Sequence, residues 1–241
     1  MKIVVDPLFS SHEAFIAQIP TLFAERSGCE FIYDKRNTVA RFFDGQQTFI
    51  VKRFKQPNFI QRVVYSFFRR SKAQRAYLYA EAFQSRGIDT PQRVAYIEQT
   101  KGGLFSIGYF VSLEAQGTES HLLLREVKDY DPELAAAVAR QVVLMHSRGI
   151  LHGDLNLSNF LCRTTPDGYR FTMIDINRSQ FCDGFPDDDA CLRNLVRTTH
   201  RRDLYEDLVR RYAVLRHWDA DKTVERALQL LDRFENRRFK L

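Results

Sequence analysis

Ile150-Leu151-His152-Gly153-Asp154-Leu155-Asn156-Leu157-Ser158-Asn159-Phe160-Leu161 decides how this chain reads, and Met173-Ile174-Asp175 completes it. An acid and an amide stand five residues apart between two apolar runs, and a second acid closes the next apolar run, 21 residues beyond the first. Asp and Asn bond readily to nearby backbone, so Asp154 and Asn159 alone would be satisfied as turn formers, with His152 a hydrogen-bonded core histidine. Turn chemistry does not call for a second acid after a second apolar strand, and that addition favours a site over a turn.

A loop acid, an amide five residues on and a later strand-end acid form the grammar of phosphoryl transfer in protein kinases. There the loop Asp takes the acceptor hydroxyl's proton, the Asn binds Mg²⁺ and the later Asp is the main metal ligand. On that grammar Asp154 is catalytic, while Asn159 and Asp175 hold the metal. Upstream, Phe49-Ile50-Val51-Lys52 ends a strand on a lysine, the context in which such enzymes hold the α/β-phosphates and pair the lysine with a helix Glu. No acid lies between Lys52 and Tyr79, and the first is Glu81. It falls in a helix begun by Ser71 with Gln74 as a capping box and ended by Gly87. Lys52 and Glu81 are therefore read as a catalytic pair.

Composition bounds the rest. At 241 residues the chain is comfortable for two lobes sharing a cleft. A net charge of +6 and a pI near 9.2 fit a polyanionic partner: nucleotide, phosphorylated glycolipid, anionic membrane or nucleic acid. Cys29, Cys162, Cys182 and Cys191 are scattered without a C-x-x-C pair, which reads as reduced thiols in a cytoplasmic protein. The N-terminal apolar run breaks at Asp6-Pro7, so no signal peptide is expected, and no stretch approaches the roughly 20 apolar residues of a spanning helix.

Residues 2–5 read as a short strand, and Ser10/Ser11 open a helix to Arg26 that Gly28 ends. Phe31 to Tyr33, Thr38 to Phe43, Thr48 to Phe54, Arg93 to Glu98 and Phe105 to Leu113 read as five strands of a small lobe. The turn Asp34-Lys35-Arg36-Asn37 falls where a kinase carries its glycine-rich phosphate cover, but it has no glycine. Arg36 and Asn37 are candidates to meet phosphates through side chains, and a solvated hairpin tip is the simpler alternative. Residues 54–77 interleave Phe54, Phe59, Ile60, Val63, Val64, Tyr65, Phe67 and Phe68 with Lys55, Arg62, Arg69, Arg70, Lys72 and Arg75. That pattern suits an anionic membrane surface, and equally a helix whose aromatics pack under the lobe while its cations are solvated. Glu114-Ala115-Gln116-Gly117 falls at a hinge, where the backbone of Glu114 and Gln116 would meet adenine. A lobe boundary is therefore expected between 113 and 114, giving an N-lobe of 1–113 and a C-lobe of 114–241. Asp131-Pro132-Glu133 starts a helix with the stripe Leu134, Val138, Val142 and Met145, which Gly149 ends. Asn159 to Arg163 and Arg170 to Asp175 form a hairpin around Asp167-Gly168. Beyond Asn177 there is neither D-F-G nor A-P-E. The long segment that would cradle a peptide is missing, and Gly153 stands where H-R-D kinases place a phosphate-sensing arginine.

With these motifs in view, the chain resembles the bacterial lipopolysaccharide kinase family, the Kdo/WaaP/InaA group of small eukaryotic-like kinases. The likeness runs through Asn37-Thr38-Val39, Val51-Lys52-Arg53-Phe54, Ser71-Lys72-Ala73 and Arg86-Gly87-Ile88-Asp89-Thr90-Pro91. It continues in His146-Ser147-Arg148-Gly149-Ile150, His152-Gly153-Asp154-Leu155 with Asn156 and Asn159, and Ile174-Asp175-Ile176-Asn177-Arg178-Ser179. The resemblance implies a bilobal α+β protein-kinase-like fold and transfer of phosphate from ATP, with Mg²⁺, to a sugar hydroxyl. The acceptor would be lipopolysaccharide core or a lipid A precursor, on Kdo or heptose, at the cytoplasmic face of the inner membrane of a Gram-negative bacterium. Peripheral contact with that anionic membrane is expected, with no nucleic acid and no obligate protein partner. The family's catalytic Asp falls on Asp154 and its metal Asp on Asp175. Arg178 and the basic cluster in 53–75 are candidates for acceptor phosphates or lipid. A kinase of the same fold acting on another small molecule or a protein is the main alternative, and a binding module without activity the lesser one.

Overall fold

The computed structural model describes residues 1–35 and 37–238. The chain divides into two compact units, residues 1–85 with 90–115, and residues 86–89 with 116–241. In the first unit, β1 (Lys2–Val5) leads through a 3₁₀ turn to α1 (Glu13–Glu25). Then come β2 (Cys29–Asp34), β3 (Thr38–Phe43), β4 (Thr48–Arg53), α2 (Phe59–Phe67), α3 (Lys72–Ser85), β5 (Arg93–Lys101) and β6 (Leu104–Leu113). The strands form one antiparallel sheet in the order β1-β5-β6-β4-β3-β2. The N-terminal strand, expected as a short strand but not among the five of the small lobe, is the sheet's sixth member, with Lys2 opposite Glu98.

Both faces of this sheet are covered. Alternate residues of β3 and β4 point one way, so Ala40, Phe42, Phe49 and Val51 meet Ile16, Ile19 and Phe23 of α1 in one cluster. On the other face Phe54, Ala73, Ala76, Tyr77 and Tyr96 gather against α3. Helix α2 belongs to neither cluster. None of its residues is buried, and Phe59, Ile60, Phe67 and Phe68 are exposed. Of the aromatics in 54–77 these three phenylalanines therefore do not pack under the lobe, whereas Phe54 and Tyr77 do and Tyr65 is half-buried.

The second unit runs through β7 (Thr118–Glu119), α4 (Ser120–Leu124), α5 (Pro132–Ser147), β8 (Ile150–Leu151), β9 (Phe160–Thr165), β10 (Gly168–Met173), β11 (Gln180–Phe181), α6 (Asp188–Leu195), α7 (Arg202–Leu215) and α8 (Ala220–Arg238). Asp131 caps α5 by accepting the Glu133 N–H at 2.8 Å, and Pro132 occupies the first turn, where its missing donor costs nothing. The Tyr169 hydroxyl donates to the same Asp131 carboxylate, tying the start of α5 to the β9–β10 hairpin. The stripe Leu134, Val138, Val142 and Met145 is buried, and so are Leu204, Leu208 and Tyr212 of α7, on which α5 packs. Each such side chain contributes about 1.5–3 kcal/mol through burial. Small sheets, β10-β9-β7 and β11-β8, hold the ends of the loop between β8 and β9.

Candidate active site

His152 is the centre of the loop between β8 and β9. It is wholly buried, its Nε2–H donates to the Ile174 carbonyl at 3.0 Å, and its Nδ1 accepts the Asp154 N–H at 3.2 Å. These bonds require a neutral ring with the proton on Nε2. Burial lowers its pKa, against the pull of the Ile174 carbonyl and of the Asp175 and Asp154 charges. One uncharged ring therefore joins the two acid-bearing segments. Asn159 strengthens the link: its Nδ2 donates to the Asp154 carbonyl at 2.8 Å, and its own carbonyl accepts the Ile174 N–H at 3.0 Å.

Polar side-chain atoms of Asp154 and Asn159 are left available for chemistry. Asn159 has spent its amide nitrogen, and its Oδ1 has no donor among the described residues. Asp175 sits in the left-handed region at φ 56° and ψ 39°, a conformation uncommon outside glycine but tolerated by Asp. One of its carboxylate oxygens accepts from Asn177 Nδ2 at 2.6 Å. The Asp154 carboxylate is 38% exposed, with the Arg197 guanidinium 3.9 Å away. The Asp175 carboxylate and Asn159 Oδ1 are hard oxygen donors of the kind Mg²⁺ takes, and Mg²⁺ commonly binds one or two protein groups and completes its shell from phosphates and water. Among the described residues no group of three or more His, Cys, Asp or Glu gathers to hold a metal, so an ion here would draw on such outside ligands.

The loop's glycine has a packing reason. A Cβ on Gly153 would lie 2.2 Å from the Arg178 carbonyl oxygen, because the segment after Asp175 crosses directly over it. Any larger residue, including the arginine of H-R-D loops, would push that segment away. Arg178 itself is exposed.

A buried chain of hydrogen bonds reaches the loop from behind. Arg216 donates to the Tyr212 hydroxyl at 2.8 Å, and that hydroxyl is 2.8 Å from His146 Nδ1. His146 Nε2 is 3.1 Å from Asn194 Oδ1, and Asn194 Nδ2 donates to the His152 carbonyl at 2.8 Å. Residues 86–89 brace the other side. Arg86 donates to the carbonyls of Arg148 and Cys182 at 2.5 and 2.9 Å, and the Asp89 carbonyl accepts the Met173 N–H at 2.8 Å, two residues before Asp175. Asn194, Arg197 and this strap were not assigned roles from sequence. Their partners lie far along the chain, and only the Arg86 to Pro91 motif carried any signal.

The remaining expected residues belong to the first unit, except Gln116, which belongs to the second. Lys52 sits on β4 opposite Val39 and Phe110, with its ammonium 5.6 Å from the Phe54 ring centre. The expected Lys52–Glu81 pair does not form. Glu81 is bound by Arg93 at 2.7 Å, and Arg93 also holds Asp6 at 2.9 Å. Arg93, a half-buried arginine of β5, reaches Glu81 first, a partner that the spacing of acids along the sequence does not reveal. Asn37 accepts the Lys55 N–H on its Oδ1 at 3.1 Å, which leaves its amide nitrogen for a ligand. Arg36 lies outside the described residues. The Glu114 carboxylate is held by Arg41 Nε at 3.1 and 3.2 Å, so only its backbone remains for a nucleotide, and Gln116 is exposed.

A family model for the lipopolysaccharide kinase (Kdo/WaaP) family matches residues 51–213, a span that takes in Lys52, the loop and Asp175. The chain belongs to this family. A solved structure of WaaP in complex with acyl carrier protein is similar to this family member over 100% of this chain and 99% of that one, with a TM-score of 0.63 and 18% identity. That likeness shows the fold, the α+β protein-kinase-like fold with two lobes. The EKC/KEOPS complex subunit BUD32 of Cryptococcus neoformans var. neoformans serotype D is 30% identical over 110 residues, in each of two strains. The match covers 42% of this chain and 38% of that relative, so the chain spans well under half the length of these curated relatives. Family and fold together support a kinase role for this lipopolysaccharide kinase family member.

Proposed function

We propose that this family member transfers the terminal phosphate of ATP, with Mg²⁺, to a sugar hydroxyl of the lipopolysaccharide inner core, on Kdo or heptose. It would do so at the cytoplasmic face of the inner membrane. The observation that carries the reading is the loop itself: an open Asp154 carboxylate is locked through Asn159 and His152 to the segment bearing Asp175. In this reading Asp154 orients the acceptor hydroxyl and takes its proton. Arg197, 3.9 Å from that carboxylate, is placed to steer an anionic acceptor toward it. Asp175 and Asn159 Oδ1 would hold Mg²⁺, which when bound neutralises charge on the phosphates. Lys52 is the proposed contact for the α/β-phosphates, Asn37 Nδ2 a further phosphate donor, and the Glu114 and Gln116 backbone the adenine contact. Catalysis on these terms is mostly positioning and electrostatics, which is what a rigidly braced loop supplies.

A small acceptor suits the chain between Asp175 and α6. That stretch holds one turn of 3₁₀ helix (Ile176–Arg178), β11 and a short connection before Asp188, with little length to cradle a peptide. The test is mass spectrometry of lipopolysaccharide from cells with and without the gene. The reading expects one core phosphate to vanish on deletion and to return with the wild-type chain but not with Asp175→Asn. Unchanged core phosphorylation would refute the acceptor assignment.

A further inference from the structure

Helix α2 is held to its own sheet by its polar face. Arg62 donates to the carbonyls of Phe105 and Lys101 at 2.8 and 2.7 Å, and Ser66 Oγ accepts the Phe105 N–H at 2.8 Å. The Tyr65 ring meets Phe105 edge-on at 5.5 Å, and Asn58 caps the first turn by accepting the Gln61 N–H at 2.9 Å. At 100° per residue these contacts put Arg62, Tyr65 and Ser66 inward and turn Ile60, Val64 and Phe67 outward. The outward stripe and its flanks are open: Phe59 is 68% exposed, Ile60 73%, Phe67 69% and Phe68 81%. A helix in a soluble fold ordinarily buries its apolar stripe and wets its polar one. Here the arrangement is inverted, and the polar anchors leave the helix no freedom to roll over.

Charge identifies the occupant. Residues 53–80 hold seven Lys and Arg and no Asp or Glu. Lys55 is exposed just before the helix, and Arg69 and Arg70 are exposed just after it, so cations flank the apolar stripe at both ends. At the helix's foot, Lys55, Lys72, Gln56, Asn58 and Gln61 line a cavity of about 610 Å³. Protein hot spots favour Trp, Tyr and Arg, which combine apolar area with hydrogen-bonding handles. The exposed stripe and its flanks offer Phe and Ile, which have none and suit the boundary between headgroups and acyl chains. At nine residues α2 is about 13 Å long and can only lie in that boundary.

We propose that α2 is an interfacial helix that seats the protein on an anionic lipid surface. Phe59, Ile60, Phe67 and Phe68 enter below the phosphates, while Lys55, Arg69 and Arg70 lie at phosphate level. This deepens the membrane placement given above, and it is read out by binding alone, so its failure would leave the phosphotransfer reading standing. A short helix of this kind needs both the apolar and the electrostatic contribution, which makes the attachment reversible and salt-sensitive.

The experiment is co-sedimentation of the full chain with vesicles of phosphatidylethanolamine and phosphatidylglycerol, against vesicles of phosphatidylcholine. Wild type is expected on the anionic vesicles only. Phe67→Ser/Phe68→Ser and Arg69→Glu/Arg70→Glu should each bind about tenfold more weakly or worse. Because these side chains are exposed, both variants should melt with the wild type, and Phe67→Trp should show blue-shifted emission on anionic vesicles. Equal sedimentation of wild type and both variants overturns the proposal, as does wild type ignoring the anionic vesicles. A complex with a soluble acidic protein that Phe67→Ser/Phe68→Ser loses, while vesicles are ignored, would assign the face to a protein partner instead.

Discussion

Gly153 shows how a single residue can carry the site. The Arg178 carbonyl lies 2.2 Å from where a Cβ would be, so a methyl group there must lift the segment that follows Asp175. Gly153→Ala is expected to cost about 1–3 kcal/mol of stability, the usual range for overpacking. It should also remove most phosphotransfer, and thermal melts alongside a transfer assay check both. His146 gives a pH dependence with a definite sign. Burial lowers its pKa from 6.5 to about 4. Between those values the unfolded chain binds more protons than the folded one, so stability is full above the unfolded pKa and is lost as pH falls through the window. The loss from this group is up to about 3 kcal/mol, and the depressed pKa of His152 acts in the same direction. Urea titrations from about pH 7 down to about pH 4.5 should show wild type weakening steeply. His146→Gln, weaker at the start, should show a flatter profile; parallel profiles would contradict the assignment.

Among elements, the strap of residues 86–89 matters beyond its length. It follows α3 in sequence yet belongs to the second unit, where it holds the carbonyls of Arg148 and Cys182 and the N–H of Met173. Arg86→Ala is expected to lower stability by roughly 1–2 kcal/mol, since two carbonyls lose a charged donor. Hydrogen exchange should quicken at Met173 and Ile174 while β3 and β4 are unaffected. Exchange that rises evenly across the chain would mean the strap is a general staple and not a local brace. The elements themselves were largely legible: the alternation in β3 and β4, the Asp-Pro start of α5 and its i, i+4 stripe are local patterns set by backbone geometry. A linear boundary between 113 and 114 could not foresee a strap that crosses from one unit to the other. The inverted α2 was hidden too, because periodicity shows that a helix has an apolar face without showing which way the face is turned.

For the whole molecule, the net charge of +6 gathers meaning once its parts are placed. Arg197 stands beside Asp154, while Lys55, Arg69 and Arg70 flank the apolar stripe of α2, the two places where the proposals above put an anionic acceptor and an anionic lipid surface. The order of Asp154, Asn159 and Asp175 could be read from sequence because one short loop and one hairpin carry all three. The partner of Glu81 could not, because Arg93 reaches it from a strand that only the folded sheet brings near. The claim on which the rest depends is that Asp154 acts on the acceptor hydroxyl. The most direct test measures transfer of labelled terminal phosphate from ATP to purified lipopolysaccharide core by wild type and Asp154→Asn, with nucleotide binding followed in parallel by thermal shift. Transfer should fall at least about a hundredfold, the scale of lost general-base catalysis, while the ATP-induced shift is kept. An Asp154→Asn enzyme that still transfers phosphate at near the wild-type rate would contradict the account.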